Sequence, residues 1–189
     1  MRGRDQRARQ PLGRGGGKKA VAGEPEDHAL GRSRGGFTTK LHLLTDANGL
    51  PLAVHLTAGQ RHESRAFEPL MRGVRLPRRR GWPRTRPKRL LGDRAYSTPA
   101  IRAHCRKRAI RAVVPQRQDE LRRRRRGRPL GFDAEAYRKR NAAERCVGWL
   151  KGCRSVGTRF DKLAVSFLAM VKLACIRLLL RRLRPSDRT

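Results

Sequence analysis

Acidic residues are scarce in this chain. Its 189 residues include 15 Asp and Glu against 48 Lys and Arg, which gives a formal charge of +33 at pH 7. A charge of this size opposes compaction by self-repulsion, so we expect a polyanionic partner that neutralises it. Arginine outnumbers lysine, which favours paired hydrogen bonds to phosphate. The composition predicts a nucleic-acid-binding protein but does not separate an enzyme from a chromatin-like or ribosomal protein.

The chain also lacks paired cysteines and a long apolar run. Its cysteines include no C-x-x-C pair, which favours reduced, partly buried thiols in a cytosolic protein over a structural zinc site. The most apolar stretch, Leu163 to Leu180, is interrupted by Lys172 and Arg177, so it predicts a buried helix rather than a membrane span. The Arg- and Gly-rich opening is unlike a secretory signal. We therefore expect a soluble, cytoplasmic protein with no membrane partner.

The length predicts a single domain with ragged ends. Residues 1–23 combine Arg, Gly and Pro without apolar periodicity, which predicts a disordered basic segment. Residues 24–184 form the predicted domain, and residues 185–189 a short tail.

Alternation of apolar and polar residues from Phe37 to Thr57 predicts a β-hairpin with its turn at Asp46 to Gly49. Its buried face would carry Leu41, Leu43, Leu52, Val54 and Leu56. A helix from His62 to about Met71 follows, with Ala66, Phe67 and Leu70 facing inward. Residues 76–88, rich in Pro and Arg, predict a connector.

The next segment predicts a strand, a helix and a second strand. Arg89 to Asp93 is a short apolar strand that ends on an acid, and Ile110 to Val114 is the second strand. Between them, Thr98 caps a helix that Pro99 begins and that runs to about Arg108. This order argues for parallel pairing in an α/β sheet.

The rest of the chain predicts a loop and two long helices. The loop, Gln116 to Leu130, contains the like-charge run Arg122 to Arg126, which is a solvated loop or a contact to the DNA backbone. Helices are predicted over Ala134 to Gly152 and over Ala164 to Arg182, joined by a polar connection. The apolar face of the last helix, which includes Leu168, Val171 and Leu179, would cover the sheet.

One face of the first of these helices carries chemically active side chains. Tyr137, Arg140, Glu144 and Lys151 are separated by three, four and seven residues, so a helix projects all four from one side. Helix geometry by itself also fits a solvated basic helix with one Arg/Glu pair.

These four residues resemble the Tyr-Arg-Glu-Lys signature of insertion-sequence DDE transposases. Two further stretches, GRSRGGFTTKLHLLTDANGLPLAVHLTAGQRHES (31–64) and RLLGDRAYST (89–98), are also similar to that family. The resemblance extends from about Glu24 to about Arg184. It implies an RNase H-like domain, with a mixed sheet flanked by helices, that cleaves element ends and joins them to target DNA.

The resemblance also implies roles for individual residues. Asp93 and Glu144 match the family's second and third acids, which are catalytic and bind Mg²⁺ or Mn²⁺. Tyr137, Arg140 and Lys151 match DNA-contacting positions. The partners would be double-stranded DNA at the element ends and target, with a homodimer on DNA, at the nucleoid of a prokaryote. A turn or capping aspartate is the structural alternative for Asp93, and the HES motif at 62–64 favours structural polar contacts for His62 and Glu63.

One part of the family pattern is missing. The family's first acid ends an apolar strand before the GRSRGG stretch, whereas residues 1–23 contain no such strand. Asp5, Asp27 and Asp46 lie in polar or turn segments and are poor substitutes. We therefore expect an N-terminally truncated or frameshifted transposase that lacks its first strand and that, by itself, has poor metal affinity and poor phosphoryl transfer. The alternative is a non-catalytic DNA-binding remnant.

Overall fold

The computed structural model describes residues 21–122 and 131–183, which form an α/β structure. The strands are β1 (Gly31–Ser33), β2 (Gly36–Thr45), β3 (Pro51–Ala58), β4 (Arg89–Leu91) and β5 (Arg111–Val113). The helices are α1 (Phe67–Arg72), α2 (Pro99–Lys107), α3 (Gln118–Arg122), α4 (Ala134–Arg138), α5 (Asn141–Lys151), α6 (Arg154–Gly157) and α7 (Ala164–Leu183). The predicted disordered segment, except for residues 21–23, and the predicted tail lie outside the described ranges.

The predicted hairpin is confirmed as β2 and β3. The strands are antiparallel, with Leu41 opposite Leu56 and Leu43 opposite Val54. Asp46 closes the turn because its Oδ1 accepts hydrogen bonds from the backbone N–H groups of Asn48 (2.9 Å) and Leu50 (2.8 Å). Leu41, Leu43 and Leu56 are buried, whereas Leu52 and Val54 are half-buried. Strand β1 extends this sheet along the start of β2.

The predicted strand–helix–strand unit is confirmed as β4, α2 and β5. The two strands pair in parallel, and Thr98 Oγ1 caps α2 by accepting a hydrogen bond from Ile101 N (3.3 Å). Within the described ranges, these strands form a two-stranded sheet separate from the three-stranded one. The α/β class is therefore confirmed, with its strands divided between two sheets.

Two apolar clusters hold the elements together. The first packs Leu41 and Leu43 of the hairpin against Leu150 of α5 and against Phe167 and Val171 of α7. The second packs the β4–β5 pair and α2 around residues of α1, with Leu44 of β2 at its margin. Helix α7 therefore covers the hairpin, as its apolar face predicted, and none of the described helices is long and apolar enough to cross a membrane.

Two predicted segments differ from the structure. The predicted helix from Ala134 to Gly152 is divided into α4 and α5, and the backbone between them tightens into a bond from Arg140 N to Tyr137 O (3.0 Å). Asn141, a residue with low helix propensity, starts the second helix at this junction. The predicted loop from Gln116 to Leu130 instead contains α3, and residues 123–130, including most of the arginine run, lie outside the described ranges.

Candidate functional site

Asp93 lies just beyond the carboxyl end of β4. Its Oδ1 accepts a hydrogen bond from Arg94 N (2.6 Å) and thereby caps the 3₁₀ turn Arg94–Tyr96. A Cβ atom at Gly92 would lie 3.3 Å from Val114 Cγ2 and 3.4 Å from Tyr96 Cβ, so glycine allows the chain to turn closely against the core here. Asp93 is therefore a capping residue through Oδ1, as its structural alternative predicted. Within the described ranges, Oδ2 makes no hydrogen bond.

Tyr96 is buried close to Asp93. Burial raises the pKa of its phenol well above the ordinary value of 10.0, and the negative charges of Glu63 and Asp93 raise it further. Glu63 belongs to the 3₁₀ turn Glu63–Ala66, which packs against the turn Arg94–Tyr96. The packing of the two turns therefore brings the charge of Glu63, predicted only as a structural contact, to bear on Tyr96 together with that of Asp93.

A buried polar network fixes the residue that follows this turn. Ser97 Oγ donates to Glu120 Oε2 (2.6 Å) and accepts from Arg102 Nη2 (2.7 Å). Arg102 Nη2 also donates to Val114 O (3.2 Å). Glu120 was not among the predicted site residues, because its segment was predicted as the loop that contains the arginine run. The order of two acids followed by an arginine in QDELR (118–122) suits the dipole of a helix and is a signal for one.

Three residues of the signature are in contact. Arg140 Nη2 donates to Glu144 Oε1 (2.9 Å), and Arg140 Cζ lies 5.3 Å from the centre of the Tyr137 ring. The Arg140 side chain is only 15% exposed, whereas that of Glu144 is 45% exposed. Tyr137 also contacts the Phe132 ring, at a centroid distance of 5.3 Å. The packed arginine thus holds one oxygen of a carboxylate that faces solvent.

Lys151 lies two turns beyond Glu144, at the end of α5, and is half-buried. Its side chain makes no hydrogen bond or ion pair with the other three signature residues. The structure therefore brings together Tyr137, Arg140 and Glu144, and leaves Lys151 apart from this cluster at the far end of α5.

The predicted metal ligands have suitable chemistry, but the described residues provide too few further ligands around them. Carboxylate oxygens are the ligands that Mg²⁺ prefers, and Asp93 and Glu144 each retain an oxygen without a hydrogen bond in the described ranges. In the same ranges, no group of three or more His, Cys, Asp and Glu side chains could hold a metal ion. These two residues could each provide a carboxylate, and the described residues do not complete a site around either.

Comparison with known proteins identifies the family of this chain. The family model of the transposase DDE domain matches residues 7–179. A Burkholderia cepacia protein, named as a candidate transposase for insertion sequence element IS402, is 32% identical over 152 residues, which cover 80% of this chain and 67% of that protein. No solved structure matches the chain. The resemblance that the Tyr137–Lys151 stretch predicted is therefore confirmed, and the chain belongs to the DDE transposase family.

Proposed function

We propose that this transposase cleaves DNA at the ends of an insertion sequence and joins the freed 3′ ends to target DNA, using Mg²⁺ or Mn²⁺. Family membership supports a DNA substrate and the use of a divalent metal ion. The observation that carries the proposal is the contact among Tyr137, Arg140 and Glu144, because it brings the signature's acid together with side chains that we propose contact DNA. We place this reaction at the nucleoid of a prokaryotic cell, carried out by a homodimer on DNA.

In this proposal Asp93 and Glu144 are the catalytic carboxylates and the metal ligands. Asp93 is held by the backbone at the end of β4, and Glu144 by the ion pair with Arg140. When bound, a divalent ion would polarise the phosphate and lower the pKa of the attacking hydroxyl group. The protein supplies fixed oxygen ligands on two rigid elements, which lowers the cost of ordering them during the reaction.

The cationic residues of the signature would position the DNA backbone. Arg140 commits Nη2 to Glu144, and its Nη1 is buried without a hydrogen-bond partner in the described part of the chain. A small shift of the side chain would allow the guanidinium to donate to a phosphate oxygen beside Glu144. Tyr137 would stack or hydrogen-bond nearby, and Lys151 would contact a phosphate farther along the same side of α5.

The test is nicking and strand transfer of a duplex that carries the ends of the encoding element, with Mg²⁺ or Mn²⁺. Product from the natural chain would assign the reaction to it in spite of the unidentified first acid, and Asp93→Asn and Glu144→Gln should then lower product formation by at least about a hundredfold, with DNA affinity kept within about twofold. Glu135→Gln is the matched control, because Glu135 is an exposed carboxylate on α4. Equal activity of Glu144→Gln and Glu135→Gln would rule out the assigned role of Glu144.

A non-catalytic DNA-binding function is the second candidate. The observation that favours it is the absence of a three-residue ligand group in the described ranges, whereas a two-metal site needs several carboxylates. This function predicts binding that weakens steeply with salt and no product from the natural chain or any of the variants. A single nicking experiment with a parallel binding assay therefore separates the two functions.

A further inference from the structure

Helix α7 is apolar on two sides. Its inner side packs Phe167, Val171 and Cys175 into the first apolar cluster. Its outer side carries a second apolar row, whose exposed fractions are 57% (Leu173), 50% (Ile176), 57% (Leu180) and 76% (Leu183). These residues are separated by three, four and three positions, the spacing of a seam that packs against another helix. A soluble helix with an apolar row on both sides normally has a partner on each.

Leu173, Ile176 and Leu180 of the outer row lie along one wall of a groove. The opposite wall comes from α5 and the turn that follows it, where Gly148 and Gly152 present no side chain, and the space has a volume of about 1460 Å³. A cavity of about 550 Å³ adjoins it between Phe160 and Met170. We call the combined space the α7 groove. It is concave, a shape that accepts the side chains of a docked helix better than it accepts a flat lipid surface.

The charged residues that line the α7 groove are all cationic. They are Arg154, Arg177, Arg181 and Arg182. Arg182 is also stacked 5.5 Å from the Trp149 ring, which fixes one of these charges beside the apolar floor. An occupant with carboxylates beside its apolar row would pair with these arginines, whereas a cationic occupant would be repelled by them.

The segments of this sequence that lie outside the described ranges do not complement this charge pattern. Segments 1–20, 123–130 and 184–189 are basic or nearly without acids, so none complements four arginines. A second copy would bring the same arginines against the first, in a chain whose formal charge is already +33. Neither supplies carboxylates to pair with the arginines that line the α7 groove.

We propose that the α7 groove binds an amphipathic helix of a different protein, with an apolar row flanked by Asp or Glu. The groove follows α7 from Met170 to Arg182, which at 1.5 Å per residue is about 18 Å, or just over three helical turns. Such a helix would insert apolar side chains at i, i+3 or i+4, and i+7 between α7 and α5. Its carboxylates would pair with the arginines at the rim.

The probe is a synthetic helical peptide of about three heptads with Leu at a and d and Glu at e and g. A peptide with the same Leu positions and Lys at e and g is the charge control. Trp149, which lines the groove and is 40% exposed, reports binding once the other tryptophan, the 90%-exposed Trp82, is changed to Phe. We expect a blue shift of Trp149 fluorescence with the Glu peptide and at least about tenfold weaker binding of the Lys peptide.

Two groove variants complete the test. Leu173→Gln/Leu180→Gln should weaken binding of the Glu peptide by about tenfold or more, and so should Arg177→Glu/Arg181→Glu. Leu121→Gln, at an exposed leucine outside the groove, should leave binding unchanged. The charge variant also keeps the test decisive if the leucine variant loses helical circular dichroism.

Three results would overturn the proposal. The first is equal affinity for the Glu and Lys peptides. The second is a Trp149 shift with vesicles of phosphatidylglycerol and phosphatidylcholine but not with the Glu peptide, which would identify a lipid surface. The third is a dimer in light scattering that Leu173→Gln/Leu180→Gln makes monomeric, which would identify a second copy as the occupant. No readout requires catalysis, so the outcome is independent of the nicking experiment.

Discussion

Removing the Glu120 carboxylate, which supports the turn that follows Asp93, should lower the free energy of unfolding more than removing an exposed carboxylate does. The side chains of Arg102 and Glu120 are only 12% and 9% exposed, at an N–O distance of 3.9 Å, and Ser97 adds a 2.6 Å hydrogen bond. Truncating one member of such a buried group lowers the free energy of unfolding by about 3 kcal/mol, because the remaining polar atoms stay buried without their partner. Glu120→Gln keeps an acceptor for Ser97 and should cost about 1 kcal/mol.

Urea unfolding followed by circular dichroism measures this difference. With a slope of about 2 kcal/mol per molar, Glu120→Ala should lower the midpoint by about 1.5 M and Glu120→Gln by about 0.5 M. Glu68→Ala is the control, because Glu68 pairs with Arg72 at the surface, with 64% of its side chain exposed, and should change the free energy of unfolding by less than about 0.5 kcal/mol. Equal midpoints for Glu120→Ala and Glu68→Ala would refute the reasoning.

Three further predictions use other described contacts. Burial opposes ionisation of Glu24, but backbone N–H groups of α7 hold its pKa below 4.5. The stabilisation by this carboxylate should therefore be present above pH 4.5 and be lost as the pH falls through the lower pKa of Glu24 in the folded state. Glu24→Gln should remove this pH dependence in acid unfolding. Lys151→Ala should lower the salt slope of DNA binding by about 0.9 in fluorescence anisotropy; an unchanged slope would exclude a phosphate contact. Iodoacetamide at pH 8 should modify half-buried Cys153 before buried Cys146, because burial raises the pKa of the Cys146 thiol to about 12. Mass spectrometry of digests measures the order of modification, and earlier modification of Cys146 would contradict this prediction.

Local sequence determined the elements whose causes lie within a few residues. The hairpin was predictable because Asp46 and Gly49 close its turn and apolar residues alternate on either side. Thr98 and Pro99 start α2 by capping chemistry that requires no distant contact. The spacing of Tyr137, Arg140 and Glu144 placed the signature residues in contact even though the helix is divided, because its tight junction still carries the three side chains to one side.

Only tertiary structure decided which distant groups became partners. Arg159, in a segment predicted as a polar connection, is buried, and its Nη2 donates to His28 O, 131 residues away. Glu120 likewise became part of the support for the Asp93 turn through Ser97, 23 residues earlier. A polar residue at such a position has no periodic signal, because its burial depends on a matching donor or acceptor from elsewhere in the chain. The same limit applies to the α7 groove: composition predicted an apolar helix, but only packing against the hairpin showed which of its apolar rows remained exposed.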